Sequence, residues 1–346
     1  MDAYHPSLRL DLDGDALVAN WRWLARQSGP AACGAAIKAD GYGLGARAVL
    51  DRLAKAGCRD FFVSNWAEAA ALMPLADGLS LSVFHGIGES DIAIASTVAA
   101  RPVLNSAAQI ACWQAHFPGR ACDVMIDTGM NRLGVPLGSM GDIDLASLTI
   151  DTVMSHLACA DEDRAMNAGQ RDRFAAVRAG VPAARASLAN SAGICLGSAY
   201  AFDLTRPGLA LYGGVPRREA AGHIARVAHP AMQIIQLRDV LAGESVGYGA
   251  TFTADRDMRI AIVHAGYADG LIRALAPHLV LNVGGAQCRV LGRISMDLIA
   301  IAAPESAREG DWAELDYDLP SLAAATPLNQ YELLTGLGAR WERRWR

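Results

Sequence analysis

The sequence predicts an α/β protein, a (β/α)8 TIM-type barrel over residues 1–216 followed by a C-terminal mainly-β domain over residues 217–346. Three observations predict it. Between about Ala31 and Pro216, short apolar runs alternate with longer amphipathic stretches. Those runs are continuous rather than alternating, as expected of a parallel sheet covered on both faces. Beyond residue 217 the strand-like segments follow one another across Gly-rich breaks, mostly without a long helix between them.

Taken in order, SLRLDL near the N-terminus is strand-like, so residues 1–12 can pair with the β domain. Barrel strands are expected at Ala32–Lys38, Asp60–Ser64, Leu79–His85, Pro102–Leu104, Asp123–Asp127, Thr149–Ser155, Arg185–Leu188 and Leu204–Arg206. Helices are expected at Ala46–Ala56, Ala67–Leu75, Ala107–His116 and Gln170–Ala179. Eight strands in this rhythm suggest a closed barrel, although an open doubly wound sheet satisfies the same periodicity. In the second domain AMQIIQLRDV, RIAIVHA, LVLNV, CRVLG and DLIAIAA read as strands, and Tyr331–Leu334 as a helix ended by Gly336 and Gly338. The closing ARWERRWR reads as a solvated basic tail anchored by tryptophans.

Composition narrows the function classes. With 52% hydrophobic and 19% charged residues among 346, the chain has a core to bury and is not disordered. A net charge of −5 and no long internal basic run give nucleic acid no footprint. No apolar run reaches membrane-span length, and the acidic N-terminal stretch is unlike a signal peptide. Seven cysteines, with no C-x-x-C pair, suggest reduced thiols and a cytoplasmic location. The eight histidines show no metal-ligand spacing, so no metal is expected.

On a parallel barrel the active site lies at the carboxyl ends of the strands. Lys38 and Tyr42 follow the first expected strand, Asp127 and Arg132 the fifth, His156 the sixth, Asn190-Ser191 the seventh and Arg206-Pro207-Gly208 the eighth. Each has an ordinary reading: a solvated lysine, a loop aromatic, an Asp127–Arg132 ion pair, an interior imidazole, cap and turn residues. Their joint placement at one mouth is what suggests catalysis. Apolar residues run straight up to Lys38, and a desolvated amine is a Schiff-base former. Loops after strands seven and eight often cradle a phosphate. An amine and a phosphate cradle together suggest pyridoxal phosphate.

The stretch AAIKADGYGLG resembles the cofactor signature of the alanine racemases, with IDTGMNRLG, SHLACAD, LANSAG, TRPGLALYG, VGYGATFTA, HAGYADG, GRISMD and YELLTGLGAR following in that family's order. The resemblance implies that Lys38 holds pyridoxal 5'-phosphate covalently, that Tyr42, Ser191, Gly208 and Leu209 contact its phosphate, and that Arg206 faces its pyridine nitrogen. It implies that His156 sits between Arg206 and Tyr248, that Tyr248 is a second base opposite Lys38, and that the His156–Arg206 network adds positive charge favouring a phenolate. It places Arg132 at the substrate carboxylate, Met296 near the substrate, and Tyr267 at an entrance contributed by the partner in a homodimer with shared active sites. The implied reaction is interconversion of L- and D-alanine by two bases, supplying D-alanine for peptidoglycan. Two departures stand out: Met125 where relatives often carry a carbamylated lysine, and Ala339 where many place a tyrosine. They leave room for a broader racemase, acting for example on serine. An amino-acid decarboxylase, or a cofactor carrier without turnover, fits less well with two opposed bases.

Overall fold

The computed structural model describes residues 6–346. The chain divides into two units, Leu17–Ala225 and the chain up to Ala16 together with Arg226–Arg346.

In the first unit the barrel strands are Ala32–Cys33 continued by Ala35–Ala36, then Asp60–Val63, Ser80–Val83, Arg101–Leu104, Cys122–Asp127, Ile150–Met154, Ala183–Ser187 and Leu204–Thr205. All neighbouring pairs in the sheet are parallel. The open-sheet alternative is overturned by the seam between first and last strands. There Ala32 N, Gly34 N and Ala36 N donate to Asp203 O, Thr205 O and Pro207 O at 2.9, 2.9 and 2.8 Å. On the other side of the last strand, Asp203 N and Arg206 N donate to Ala186 O at 3.0 Å and Ala189 O at 2.8 Å. Gly34 lies between the two pieces of the first strand because a Cβ there would lie 2.7 Å from Asp60 O. Expected helices at Ala46–Ala56 and Ala107–His116 are present with those bounds, and the others at Trp66–Ala71 and Ala165–Arg178. The helix Gly14–Gln27 was not expected, although Asp13 caps it, its Oδ1 accepting from Ala16 N at 2.8 Å.

The amino ends of the barrel strands carry a chain of charges. Arg185 donates to Asp60 at 2.8 and 3.1 Å and to Asp151 at 2.8 Å. Arg101 pairs with Asp151 and Asp123, each at 3.3 Å, and Asp123 also accepts from Ser82 Oγ at 2.6 Å. This is the stability face of the fold. Arg185→Met is expected to cost about 3 kcal/mol, the lower end for a broken buried pair, because Arg185 keeps 27% side-chain exposure while Asp60 is left buried. Burial alone would raise the Asp151 carboxyl, but bonds and charge from Arg185 and Arg101 hold it below its ordinary value. Its share of stability is therefore present above the unfolded-state pKa of about 4 and lost as pH falls through the lower folded value. Thermal unfolding at pH 7 and pH 3.5 checks both points: the variant should lose most at pH 7, and a loss under 1 kcal/mol there, by about, would sink the prediction.

The second unit is a mainly antiparallel sheet in the order Ala286–Arg289, Val280–Val283, Trp312–Leu315, Ala228–Val240, Leu8–Leu12 and Glu342–Trp345. The far half of the long strand Ala228–Val240 leaves through an irregularity between Ile234 and Gln236 to pair with Met258–His264, which pairs in turn with Leu298–Ala302. SLRLDL thus joins the β unit. The expected solvated tail is a correction: Glu342–Trp345 is a strand parallel to Leu8–Leu12, behind a buried Trp341. The backbone there gains a ladder, and Arg346 pairs with Asp11 at 2.8 Å, so its charges do not hold it in water.

Candidate active site

Lys38 follows the buried run Ala35-Ala36-Ile37 at the mouth of the first barrel strand. The backbone then makes a left-handed turn. Ala39, Asp40, Gly41 and Tyr42 have φ of 53°, 51°, 63° and 55°. Only Gly41 takes this conformation freely, and the other three carry roughly 1–2 kcal/mol each. Their bonds hold them there. Gly41 N donates to Ile37 O and Gly43 N to Ala39 O, each at 2.8 Å. Asp40 Oδ1 accepts from Ala46 N at 2.8 Å. Ala39 N donates to Glu68 Oε1 at 3.0 Å, while Glu68 Oε2 accepts from Ser64 N at 2.7 Å. Glu68 escaped the sequence reading, yet the spacing Asn65-x-x-Glu68 at a helix start is a cap signature. Asn65 is indeed the cap, accepting from Glu68 N.

The turn carries Tyr42 back into the barrel. Its ring stacks on Tyr212 at 4.6 Å, and Tyr212 Oη donates to Ala36 O at 2.8 Å. The Tyr42 hydroxyl lies over Gly208, where a Cβ would come within 2.1 Å of it. Ser191 Oγ accepts from Gly208 N at 2.9 Å and Ala210 N at 3.3 Å, so backbone donors after the eighth strand converge on one buried point beside Leu209. Tyr42, Ser191, Gly208 and Leu209 thus form one corner.

Arg206, 4% exposed, donates to Ser155 O at 2.6 Å and to Ser187 Oγ. Burial pushes its pKa down to about 10, against the pull of Asp123, so it stays cationic at neutral pH. His156 is pushed down to about 3, first by burial and then by Arg206, Arg132 and Lys38. It is neutral, which corrects the expectation that it adds positive charge to the network. The buried Gln170 fixes its backbone, donating to His156 O at 2.9 Å while accepting from Ala158 N at 2.9 Å. Burial and Arg132 lower Lys38 below the ordinary lysine value, and Glu68 opposes them.

Arg132 is exposed and has no ion pair among the described residues. Asp127 is not its partner: its Oδ1 accepts from Gly129 N and Met130 N, both at 2.8 Å, and shapes the loop instead. In the β unit, Tyr248, Tyr267 and Met296 are 70%, 37% and 53% exposed. The loops bearing Tyr267 and Met296 are joined, Tyr267 N donating to Ser295 O at 3.0 Å and Ala268 N to Met296 O at 3.1 Å. Arg340 anchors this pair, bonding buried Asp269 through two 2.7 Å contacts and Asp297 through another of 2.7 Å. Away from the barrel mouth, Glu89, Cys112 and His116 bring ligand-type atoms within 4.8 Å of one another.

Residues 12–216 match the sequence family described as the alanine racemase N-terminal domain, and residues 227–345 its C-terminal domain. The chain belongs to the alanine racemase family. It is 41% identical over 344 residues to an alanine racemase of Dinoroseobacter shibae, covering 97% of each chain. It is similar to the crystal structure of the Bartonella henselae alanine racemase with covalently bound pyridoxal phosphate (TM-score 0.91, 32% identity, 99% and 100% of the two chains). It is also similar to the biosynthetic alanine racemase of Pseudomonas aeruginosa (TM-score 0.88, 31% identity, 99% and 100%). Against the alanine racemase pattern, Met125 is 6% exposed and offers no carboxylate to Arg132. Ala339 is exposed and lies beside the anchoring Arg340.

Proposed function

We propose that this chain interconverts L- and D-alanine using pyridoxal 5'-phosphate, working by two bases as a cytoplasmic homodimer and supplying D-alanine for peptidoglycan. The observation that carries the reading is the half-buried Lys38 leading directly into the corner of Tyr42, Ser191, Gly208 and Leu209. A Cβ at Gly208 would fill that corner, and its donors are of the kind that hold a phosphate. Bound there, pyridoxal phosphate supplies an aldehyde that condenses with an amine and a ring that draws electrons from the α-carbon of an amino acid.

The chain's residues do the rest. Tyr42 Oη, the Ser191 hydroxyl and the N–H groups of Gly208 and Leu209 bind the phosphate. Arg206 meets the pyridine nitrogen with a donor that keeps its proton, so the ring stays a weaker electron sink than one protonated by an acid. Arg132, without a protein carboxylate, binds the substrate's. Lys38 moves a proton at Cα on one face and the Tyr248 hydroxyl on the other. His156, neutral and fixed through its backbone, is a hydrogen-bonding link rather than a charge. Tyr267 and Met296 line the entrance. The exposure of Tyr248, Tyr267 and Met296, large side chains grouped in one unit, supports a homodimer in which they are covered. No helix among the described residues is long and apolar enough to cross a membrane.

The test is incubation with the cofactor and L-alanine in heavy water, following optical rotation and deuterium at Cα. Racemisation with deuterium incorporation is expected, and release of carbon dioxide would overturn the reading. Tyr248→Phe should slow racemisation by roughly 10²–10⁴-fold, as expected for a lost acid–base group, while leaving the visible absorbance of the bound cofactor. Serine beside alanine in the assay measures substrate breadth.

A further inference from the structure

We propose that Glu68 is a positioning residue for the cofactor lysine: its carboxylate clamps the left-handed turn that follows Lys38 and serves as the counter-charge of the Lys38 amine. The inference rests on the reading of Lys38 as the cofactor-bearing residue.

One carboxylate does both tasks. Glu68 Oε1 accepts from Ala39 N at 3.0 Å, the first backbone group after Lys38, and Oε2 accepts from Ser64 N at 2.7 Å at the end of the second barrel strand. Glu68 therefore ties the mouth of the first strand to that of the second. Ala39 is where the backbone enters the left-handed region, at φ 53° and ψ 48°, with a side chain that does not favour it. Without an acceptor for its N–H, the turn loses the bond that fixes the direction in which Lys38 leaves the strand. An ordinary cap cannot do this, because the Asn65 side chain caps the same helix independently, accepting from Glu68 N.

Within the barrel unit, the charged and titratable groups acting on Lys38 are Arg132, His156 and Glu68. Arg132 lowers the lysine and Glu68 raises it. His156 is uncharged well below neutrality, with its pKa pushed to about 3. Arg132 stays charged throughout. Removing the Glu68 charge thus leaves the amine facing a cation without compensation, and it loses its proton at lower pH.

The experiment uses the full-length chain depleted of cofactor. The rate of covalent uptake of pyridoxal phosphate, read from visible absorbance, is measured against pH, with a simple amine in the same buffers correcting for titration of the free cofactor. Uptake needs the neutral amine, which condenses with the aldehyde and releases water. Glu68→Gln is expected to move the midpoint of the uptake profile down by at least about half a pH unit, the scale of a lost neighbouring charge. Asn65→Ala, which removes only the helix cap, is expected to leave it in place. An unmoved midpoint in Glu68→Gln, or an equal shift in both variants, overturns the proposal and leaves Glu68 as a structural cap. If Glu68→Gln does not fold, Glu68→Asp decides, since it withdraws the charge by one methylene: a smaller downward shift is expected, and a native midpoint overturns the proposal. Failure of the underlying reading is distinct, because Lys38→Ala would then take up the cofactor covalently as the native chain does.

Discussion

Lys38→Ala is expected to fold, to bind pyridoxal phosphate without a covalent bond, and to lose turnover to below detection. The fold should survive because what holds the turn is backbone: Ala39 N to Glu68, Gly41 N to Ile37 O and Gly43 N to Ala39 O. Alanine continues the run Ala35-Ala36-Ile37 without a new cavity, since the lysine is only half-buried. What disappears is the amine. A lost acid–base group costs about 10²–10⁴-fold in rate, and losing covalent attachment adds the cost of holding the cofactor by its phosphate corner alone. Intact-mass measurement after borohydride reduction, with circular dichroism for the fold, checks the outcome. A folded variant that still gains the mass of one cofactor would place the attachment elsewhere.

The second large effect is expected at Gly208. A Cβ there lies 2.1 Å from Tyr42 Oη and 2.8 Å from its Cζ, inside the distance at which atoms can coexist. Tyr42 has little room to retreat: its ring is stacked on Tyr212, and its backbone is locked in the left-handed turn. Gly208→Ala should therefore push the phenol out of the corner and weaken cofactor binding by about 100-fold, equivalent to about 2.7 kcal/mol. The overpacking itself should lower stability by roughly 1–3 kcal/mol. Adding Tyr42→Ala removes the collision, so the double variant should recover stability beyond the sum of the single effects. Strict additivity would mean that the two residues do not meet.

These expectations rest on features of unequal legibility. The barrel strands were readable because both faces are covered, which leaves continuous apolar runs with chemistry-bearing residues just past them. Tyr42, Ser191 and Gly208 could be placed at one mouth on that basis alone. The left-handed run could not be read, since alanine, aspartate and tyrosine have no local preference for it, and tertiary bonds from Glu68 and Ala46 hold it. The charge of His156 was misjudged because it depends on burial among three cations that are distant in sequence. The C-terminal strand was hidden for a similar reason: its partner, Leu8–Leu12, lies at the other end of the chain. The Arg185–Asp60 pair likewise spans 125 positions, and no local pattern announces it.

The seam of the barrel carries one more consequence. Its last stave, Leu204–Thr205, is two residues long, yet it must join the first strand to the seventh. The cofactor corner is made of what comes immediately after the two staves that meet there, Tyr42 on one side and Gly208 on the other. A ligand gripping both acts as a rivet across the joint of the cask. Loading and closure then share one free energy, because whatever favours the bound state raises the work needed to open the seam by the same amount. The thinnest place in the wall is the place the ligand reinforces.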